Sequence, residues 1–183
     1  MSKMIKFKKL DIPDVILVQP DIIKDHRGYF METYHIDKFS AGGISCNFVQ
    51  DNYAQSVKNT LRGLHFQEKI PQAKLVRCTY GKIFDVAVDI RLTSPYFGQW
   101  VSVELSNTNN YQLFIPEGFA HGYCVLSDRA EIAYKCSNIY YPKYDSGVIW
   151  NDNDLNIKWP LKEPILSDKD SKLLSVKKYF YDI

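Results

Sequence analysis

Arg62 and His65 stand three positions apart in an otherwise apolar stretch that runs from residue 61 to residue 67. A free imidazole, with a pKa near about 6.5, can accept a proton at neutral pH, and a guanidinium beside it can hold an anion. In an ideal strand, two side chains at this spacing point to opposite faces, but Gly63 permits a bulge that re-aims one of them. We therefore predict a bulged strand that places a base beside an anion site. The simpler alternative is a hydrogen-bonded core histidine and a surface arginine.

A second charged group lies in the stretch 74–91, where two alternating runs are joined by a Tyr-Gly turn, a pattern typical of a hairpin. In a two-residue hairpin, Lys74 would lie opposite Ala87, with Asp85 and Asp89 as its diagonal neighbours. A lysine held by carboxylates inside a barrel would be a charged site group. On an outer face the same arrangement is an ordinary surface ion pair. The pattern alone leaves both possibilities open.

The composition excludes several classes of partner. The 183 residues are enough for one domain with a real core, and the 14% of aromatic residues favour strands and stacking surfaces. The net charge of +2, from 23 basic and 21 acidic residues, gives no overall field that would attract nucleic acid or an anionic membrane. We therefore expect neither as a partner, and an anionic ligand must be bound by a local cluster.

The cysteines and the N-terminus indicate the compartment. The four cysteines are widely spaced, without a Cys-x-x-Cys pair, and we expect them to be reduced. The first residues are basic but run into Asp11 and Pro13 rather than a long apolar stretch, so neither a signal peptide nor a membrane span is predicted. We expect a cytoplasmic protein.

Roughly ten short alternating segments, separated by turn residues at regular spacing, predict an all-β sandwich or jelly roll. Short helical segments are expected at 36–40 and in the tail, where Ser167 and Asp170 fit a capping box. No repeat, low-complexity tract or linker divides the chain, so a single domain over 1–183 is expected.

Eight motifs in order make the sequence recognisable. They are Asp-His-Arg-Gly-Tyr-Phe-Met-Glu, Gln-Asp-Asn, Leu-Arg-Gly-Leu-His-Phe-Gln, Lys-Leu-Val-Arg, Phe-Asp-Val-Ala-Val-Asp-Ile-Arg, Ile-Pro-Glu-Gly-Phe-Ala-His-Gly, Tyr-Lys-Cys and Leu-Ser-Asp-Lys-Asp. Over about 25–170, the chain resembles the dTDP-4-dehydrorhamnose 3,5-epimerases, a branch of the cupin-like jelly rolls. The resemblance implies an isomerase that needs no cofactor. It would invert C3 and C5 of a nucleotide-diphospho-4-keto-6-deoxy sugar, converting dTDP-4-dehydro-6-deoxy-D-glucose to dTDP-4-dehydro-L-rhamnose.

The resemblance also implies the catalytic roles. His65 matches the base, Asp170 the carboxylate that orients it, and Tyr134 the proton donor on the opposite face of the sugar. Lys74 matches the lysine near the C4 oxygen, with Asp85 as its expected partner. For Asp170 to reach His65, segment 151–183 must fold back over the mouth of a jelly-roll core of about 15–150.

The implied substrate-binding residues fall into three groups. Arg62, His121 and Lys169 match substrate-contacting positions, and Tyr140 matches the aromatic side chain that stacks on the base. The nucleotide and diphosphate positions are matched by Arg27, Glu32, Gln50, Asp51 and Asn52, and Phe30 is a further expected substrate-binding residue. The family often has glutamate where Asp145 stands, so a shorter carboxylate must make that contact.

Two further expectations concern metals and partners. His26, His35, His65 and His121 are scattered, without a His-x-His pair, so we predict no metal site. The resemblance implies a homodimer that shares an N-terminal strand, and a nucleotide-diphospho-sugar as substrate. The alternatives are an epimerase that acts at one carbon, one that acts on a GDP-linked heptose, a non-catalytic sugar-nucleotide-binding cupin, and a metal-dependent cupin.

Overall fold

The computed structural model describes residues 4–181, which form thirteen strands and two short helices. The strands are β1 (Lys6–Lys9), β2 (Ile16–Gln19), β3 (Ile22–Asp25), β4 (Gly28–Met31), β5 (Gln50–Val57), β6 (Leu61–Gln67), β7 (Lys74–Tyr80), β8 (Lys82–Asp89), β9 (Trp100–Ser106), β10 (Gln112–Ile115), β11 (Phe119–Val125), β12 (Arg129–Cys136) and β13 (Asp145–Gly147). The helices are α1 (Ile36–Ala41) and α2 (Val176–Phe180). Single 3₁₀ turns occur at Pro142–Tyr144 and Asp170–Lys172.

Two antiparallel sheets face each other across the core. One has the order β1-β2-β10-β7-β12-β5, the other β13-β6-β11-β8-β9, and β3 and β4 form a separate hairpin. The predicted all-β jelly roll with a few short helices, one of them C-terminal, is confirmed. None of the helices that the structure describes has the length and apolar character needed to cross a membrane.

The alternating sequence explains how each sheet makes two apolar layers. In β8, Ile83 and Ala87 point into the core between the sheets, where they pack with residues such as Val76 and Ile132 of the opposite sheet. Val86 and Val88 point the other way and are covered by Val176 of the C-terminal segment. β8 is therefore apolar on both faces over much of its length.

The predicted hairpin over 74–91 is wrong. β7 pairs with β10 and β12, whereas β8 pairs with β9 and β11, so the chain changes sheets at Gly81. This glycine has φ 74°, and a Cβ added there would lie 2.2 Å from the Arg129 carbonyl oxygen. The tight turn is real, but it links two layers rather than two paired strands. Lys74 consequently pairs with Ile115 and Cys136, not with Ala87.

The C-terminal segment runs back across the five-stranded sheet. Ile165 forms a parallel bridge with Thr60, and Leu174 forms another with Val148. Further along, the buried carboxylate of Asp152 accepts hydrogen bonds from the amides of Leu155 and Val176, which fixes the start of α2. Residues 166–173, which we call the arch, are thus anchored at both ends beside β6.

Candidate active site

A cavity of about 380 Å³ lies between the two sheets, where β5 and β7 begin and β6 and β12 end. Its size is that of a small-molecule site. The lining is mostly polar and aromatic: Gln50, Asn52, His65, Phe66, Gln67, Gln72, Lys74, Tyr134, Cys136, Tyr140, Asp145 and Lys169. Eight of these residues are among those predicted from the sequence, although they come from segments far apart in the chain.

The bulge predicted in β6 is confirmed. His65 pairs with His121, and Arg62 pairs with Tyr123, so two residues of β6 oppose one residue of β11. Gly63 has φ 121°, and a Cβ added to it would lie 2.5 Å from the Cα of Gly122. Only glycine fits this close approach.

Arg62 is exposed, but its side chain lies beside the buried polar residue Ser56. Its Nε donates to Ser56 Oγ at 3.0 Å, and that hydroxyl lies 3.4 Å from the hydroxyl of Tyr123. Tyr123 belongs to the core between the sheets, so Arg62 lies beside that core, but it is not among the residues that line the cavity of His65. The bulge is present, and the anion site beside His65 stays a prediction.

The partner of His65 is the tail residue Asp170. His65 Nε2 donates to Asp170 Oδ1 at 2.6 Å, and the amide of Gly63 donates to Oδ2 at 3.3 Å. Burial would raise the pKa of Asp170, but these hydrogen bonds outweigh it and hold the pKa below its ordinary value. Because a carboxylate only accepts, the neutral imidazole carries its hydrogen on Nε2 and leaves Nδ1 free to take a proton.

Tyr134 and Lys74 occupy the opposite wall. They lie on β12 and β7 of the six-stranded sheet, whereas His65 lies on the five-stranded sheet. Burial raises the pKa of Tyr134 to about 12, so its hydroxyl keeps its proton at neutral pH. Burial lowers the pKa of Lys74, although the nearby carboxylates of Asp145 and Asp85 oppose this effect.

Asp85 is bound to a histidine rather than to the lysine. His121 Nε2 lies 3.1 Å and 3.0 Å from the two carboxylate oxygens of Asp85, and Asp85 has no exposed surface. The diagonal-neighbour basis for pairing Lys74 with Asp85 is wrong because β7 and β8 lie in different sheets. Asp89 lies elsewhere, bound to Arg91 and Ser94. The negative charge of Asp85 still acts on Lys74 across the core, where it opposes the lowering of the Lys74 pKa by burial.

A hydrogen-bonded group surrounds Tyr140 at the cavity wall. Gln50 accepts from the amide of Tyr140 at 2.8 Å and donates to the side chain of Asn52 at 2.9 Å. The hydroxyl of Tyr140 donates to Asp145 at 2.8 Å, and Lys169 donates to the same carboxylate oxygen. The exposed ring of Tyr140 is thus held by its backbone and its hydroxyl.

Seven predicted binding residues do not line this cavity. Three of them, Arg62, Asp85 and His121, are described above, and the other four lie away from it. Arg27 is paired with Asp25 on the β3–β4 hairpin, where Phe30 is exposed, and Glu32 just beyond it is paired with Lys38. The fourth is Asp51, which pairs with Lys135 beside a separate depression. Within one chain, the structure does not bring these four side chains to the others.

Sequence reasoning missed Phe66, Gln67, Gln72 and Cys136 in the lining. Gln67 and Cys136 could have been found, because each stands two positions after a predicted site residue on the same strand and therefore on the same face. Gln72 lies outside the strands and gave no such signal. Gln67 accepts from the amide of Tyr141 at 2.7 Å and so supports the Tyr140 loop.

The histidine, cysteine and acidic side chains of the described chain form no metal centre. Between residues 4 and 181, no group of three His, Cys, Asp or Glu side chains is arranged to hold a metal ion. All four cysteines are free thiols, and three of them are buried.

Comparison with known proteins decides the family. Residues 9–178 match the family model described as dTDP-4-dehydrorhamnose 3,5-epimerase. The chain belongs to the dTDP-4-dehydrorhamnose 3,5-epimerase family. It is therefore an isomerase of the epimerase class, with the cupin-like fold of this family.

Individual relatives agree with the family assignment. The dTDP-4-dehydrorhamnose 3,5-epimerase of Shigella flexneri is 54% identical over 164 residues, which cover 88% of this chain and 91% of the relative. The crystal structure of a Legionella pneumophila dTDP-6-deoxy-D-glucose-3,5-epimerase, in complex with dTDP-4-keto-L-rhamnose, superposes with a TM-score of 0.92 at 44% identity, covering 94% of this chain and 93% of that one. A Streptomyces niveus dTDP-4-dehydrorhamnose 3-epimerase is 37% identical, over 92% of this chain and 83% of that protein. The family thus includes a member named for one carbon only.

Proposed function

We propose that this epimerase inverts both C3 and C5 of dTDP-4-dehydro-6-deoxy-D-glucose and produces dTDP-4-dehydro-L-rhamnose. The observation that carries the proposal is the placement of His65 and Tyr134 on opposite sheets with the cavity between them. Inversion at carbon needs a base on one face and an acid on the other. The two walls supply one of each.

The chemistry begins at the 4-keto group, which acidifies the hydrogens on C3 and C5. Nδ1 of His65 takes one of these protons, the C–H bond breaks, and its electrons form an enolate. Asp170 stabilises the imidazolium because its carboxylate stays ionised. The ammonium of Lys74 stabilises the enolate oxygen at C4 as a preorganised charge.

The second half of the reaction returns a proton from the other side. The hydroxyl of Tyr134 donates to the enolate carbon, and a new C–H bond forms with inverted configuration. The phenolate then recovers a proton from solvent, and the imidazolium of His65 releases to solvent the proton that it took. The high pKa of Tyr134 keeps the donor protonated until the basic enolate carbon is present. The same pair acts at the second carbon, so no redox step or cofactor is required.

The nucleotide end of the substrate would lie toward Tyr140. Its exposed ring offers a face for stacking on the base, and Lys169 in the cavity lining supplies positive charge for the diphosphate. We propose a dTDP-linked substrate because the Legionella structure, which is similar over 94% of this chain, is a complex with a dTDP sugar.

Proton NMR in D2O tests the proposal. The protein is incubated with dTDP-4-keto-6-deoxyglucose, with and without a downstream reductase and NADPH that trap the product. Deuterium at C3 and C5 with a trapped L-sugar is the expected result. The absence of exchange with this substrate would contradict the proposal, and a GDP-linked 4-keto sugar would then be tested in the same assay.

The second candidate is an epimerase that acts at one carbon. The Streptomyces niveus relative carries such a name. Deuterium at C3 alone, with a D-sugar trapped, would support this candidate. We place double inversion first because the Shigella flexneri relative, named a 3,5-epimerase, is 54% identical to this chain, whereas the 3-epimerase is 37% identical.

We also propose that the active form is a homodimer. The side chains of Ile23, Tyr29 and Phe30 on the β3–β4 hairpin, and of Tyr53 and Val57 on the edge strand β5, are all more than half exposed. Large apolar side chains exposed in this way are typical of a surface that a partner covers. A second copy could bring Arg27, Phe30 and Glu32 to the cavity of its neighbour, which they do not reach in their own chain.

Mixing two defective variants tests the dimer. Phe30→Ala and His65→Ala, each of low activity alone, should together recover up to about a quarter of wild-type activity, because one site of a mixed dimer has neither defect. No recovery after subunit exchange would contradict the shared site. Tyr141→Phe mixed with His65→Ala serves as the reference for activity simply contributed by an active partner.

A further inference from the structure

Asp145 joins three segments of the chain at one carboxylate oxygen. Its Oδ2 accepts from the hydroxyl of Tyr140 at 2.8 Å and from the ammonium of Lys169. Tyr140 lies in the loop after β12, Asp145 begins β13, and Lys169 lies in the arch. The arrangement links the aromatic side of the cavity to the segment that carries Asp170.

The arch has few other attachments between its anchored ends. Ile165 is bound to Leu61 and Asn59 by backbone hydrogen bonds of 3.0 Å and 2.8 Å, and Leu174 accepts from the amide of Ile149 at 2.8 Å. Between these ends, Asp170 contacts β6, and Lys169 contacts Asp145. The second contact therefore restrains the residue that directly precedes the carboxylate partner of His65.

The Tyr140 loop is held independently of the arch. Gln50 accepts from the amide of Tyr140, and Gln67 accepts from the amide of Tyr141. Because its backbone is fixed, the ring of Tyr140 keeps one orientation, in which its hydroxyl reaches Asp145. Asp145 itself is fixed on β13, in register with Gln67.

We propose that Asp145 is a positioning residue that locks the arch to the Tyr140 loop and thereby holds Asp170 against His65. The proposal rests on the proposed function, in which His65 is the base. It adds a coupling: a nucleotide that stacks on Tyr140 would stiffen the loop, the Asp145 contact and the arch in turn. By thermodynamic linkage, an ordered arch would also favour nucleotide binding.

A double-mutant cycle in the D2O exchange assay tests the lock. Tyr140→Phe keeps the ring and removes only the hydroxyl, and Asp145→Asn keeps the shape and removes the charge. We expect each variant to lower kcat by about 3- to 10-fold, and the double variant to be no slower than Asp145→Asn alone, because both changes break one unit. Effects on kcat that multiply in the double variant would overturn the proposal.

Two controls sharpen the kinetic test. Tyr141→Phe removes the hydroxyl of the neighbouring exposed tyrosine and should change neither kcat nor KM by more than about twofold. Asp145→Glu retains the charge and should recover most of the rate lost in Asp145→Asn. Failure of this rescue, with full nucleotide affinity, would count against a role for the charge.

Amide hydrogen exchange separates this proposal from the proposed function. In the arch, the amides of Ser171 and Lys172 donate to the carbonyls of Ser167 and Lys169 at 3.0 Å and 3.1 Å. Asp145→Asn should speed their exchange at least about fivefold, and dTDP should slow it in the wild-type protein but not in the variant. Inactive wild-type protein would contradict the proposed function alone. Unchanged arch exchange in Asp145→Asn would contradict the lock, whatever the activity.

Discussion

Two histidine–carboxylate pairs lie side by side in this epimerase, and they are built differently. His65 and His121 are directly opposed on neighbouring strands. The partner of His121 is Asp85, on the next strand of the same sheet, and both side chains are buried. The partner of His65 is Asp170, which stands 105 positions away in the tail, and the His65 side chain is 28% exposed.

We infer that the two pairs have different roles within one fold, one in stability and one in catalysis. A pair within one sheet is fixed by the hydrogen bonds between its strands and is closed to solvent. Such a pair stabilises the buried core. A pair made between a strand and a returning tail can face a cavity, and the tail can tune it. We therefore expect damage to the first pair to lower stability and damage to the second to lower the rate.

The largest effect is expected at Asp85. Asp85→Ala leaves the buried His121 without its partner, and removing one member of a buried pair costs about 3–5 kcal/mol of unfolding free energy. Urea unfolding measures the loss, and Asp85→Asn, which can still accept a hydrogen bond, should lose less. A loss below about 1 kcal/mol in Asp85→Ala would show that the inner pair is not a structural element.

The next effect is expected at Asp170. Asp170→Asn should lower kcat about 100-fold, since it removes the charge that stabilises the imidazolium of His65. Initial rates of solvent deuterium exchange measure this loss. Asp168→Asn, an exposed neighbour in the same arch, provides the matched control and should retain the wild-type rate. Equal rates in the two variants would remove the distinction between the pairs.

A smaller effect is expected in acid. The pKa of Asp170 is lowered in the folded protein, so its contribution to stability is present above its unfolded pKa of about 3.9 and is lost as pH falls through the lower, folded value. The stability difference between wild type and Asp170→Asn should therefore shrink as the pH falls below about 4. A difference that persists unchanged at pH 3 would contradict the ionised state of Asp170.

The smallest effect is expected at a pair on the surface. Lys58 and Asp128 form an ion pair at 3.2 Å, and both side chains are more than half exposed. Lys58→Ala should change the unfolding free energy by no more than about 0.5 kcal/mol. A larger change would mean that burial is not what separates the structural pair from ordinary ion pairs.

Much of the fold could be predicted because alternation marks strands directly. The runs around His65, Lys74 and Tyr134 all became strands. Strand partners could not be predicted in the same way, since turn residues at Gly81 indicate a turn but not the sheet that the next strand joins. The apolar outer face of β8 likewise depends on a tail that packs there, which local sequence does not reveal.

The site shows the same limit. The bulge at Gly63 followed from the local sequence, but Asp170 was reached only through the family resemblance. One of the two contacts of the predicted capping box is present, because the amide of Asp170 donates to Ser167 Oγ at 3.1 Å. Its carboxylate instead binds His65 and Gly63, a long-range contact that no spacing rule predicts.

The most direct test of the central claim is deuterium incorporation at C3 and C5 by His65→Ala and Tyr134→Phe, measured by NMR in one D2O experiment with intact dTDP binding as the control for folding. We predict no deuterium at either carbon with His65→Ala. With Tyr134→Phe, exchange should persist without the L-sugar, because proton removal survives and return from the opposite face does not. Retained exchange in His65→Ala would contradict the account.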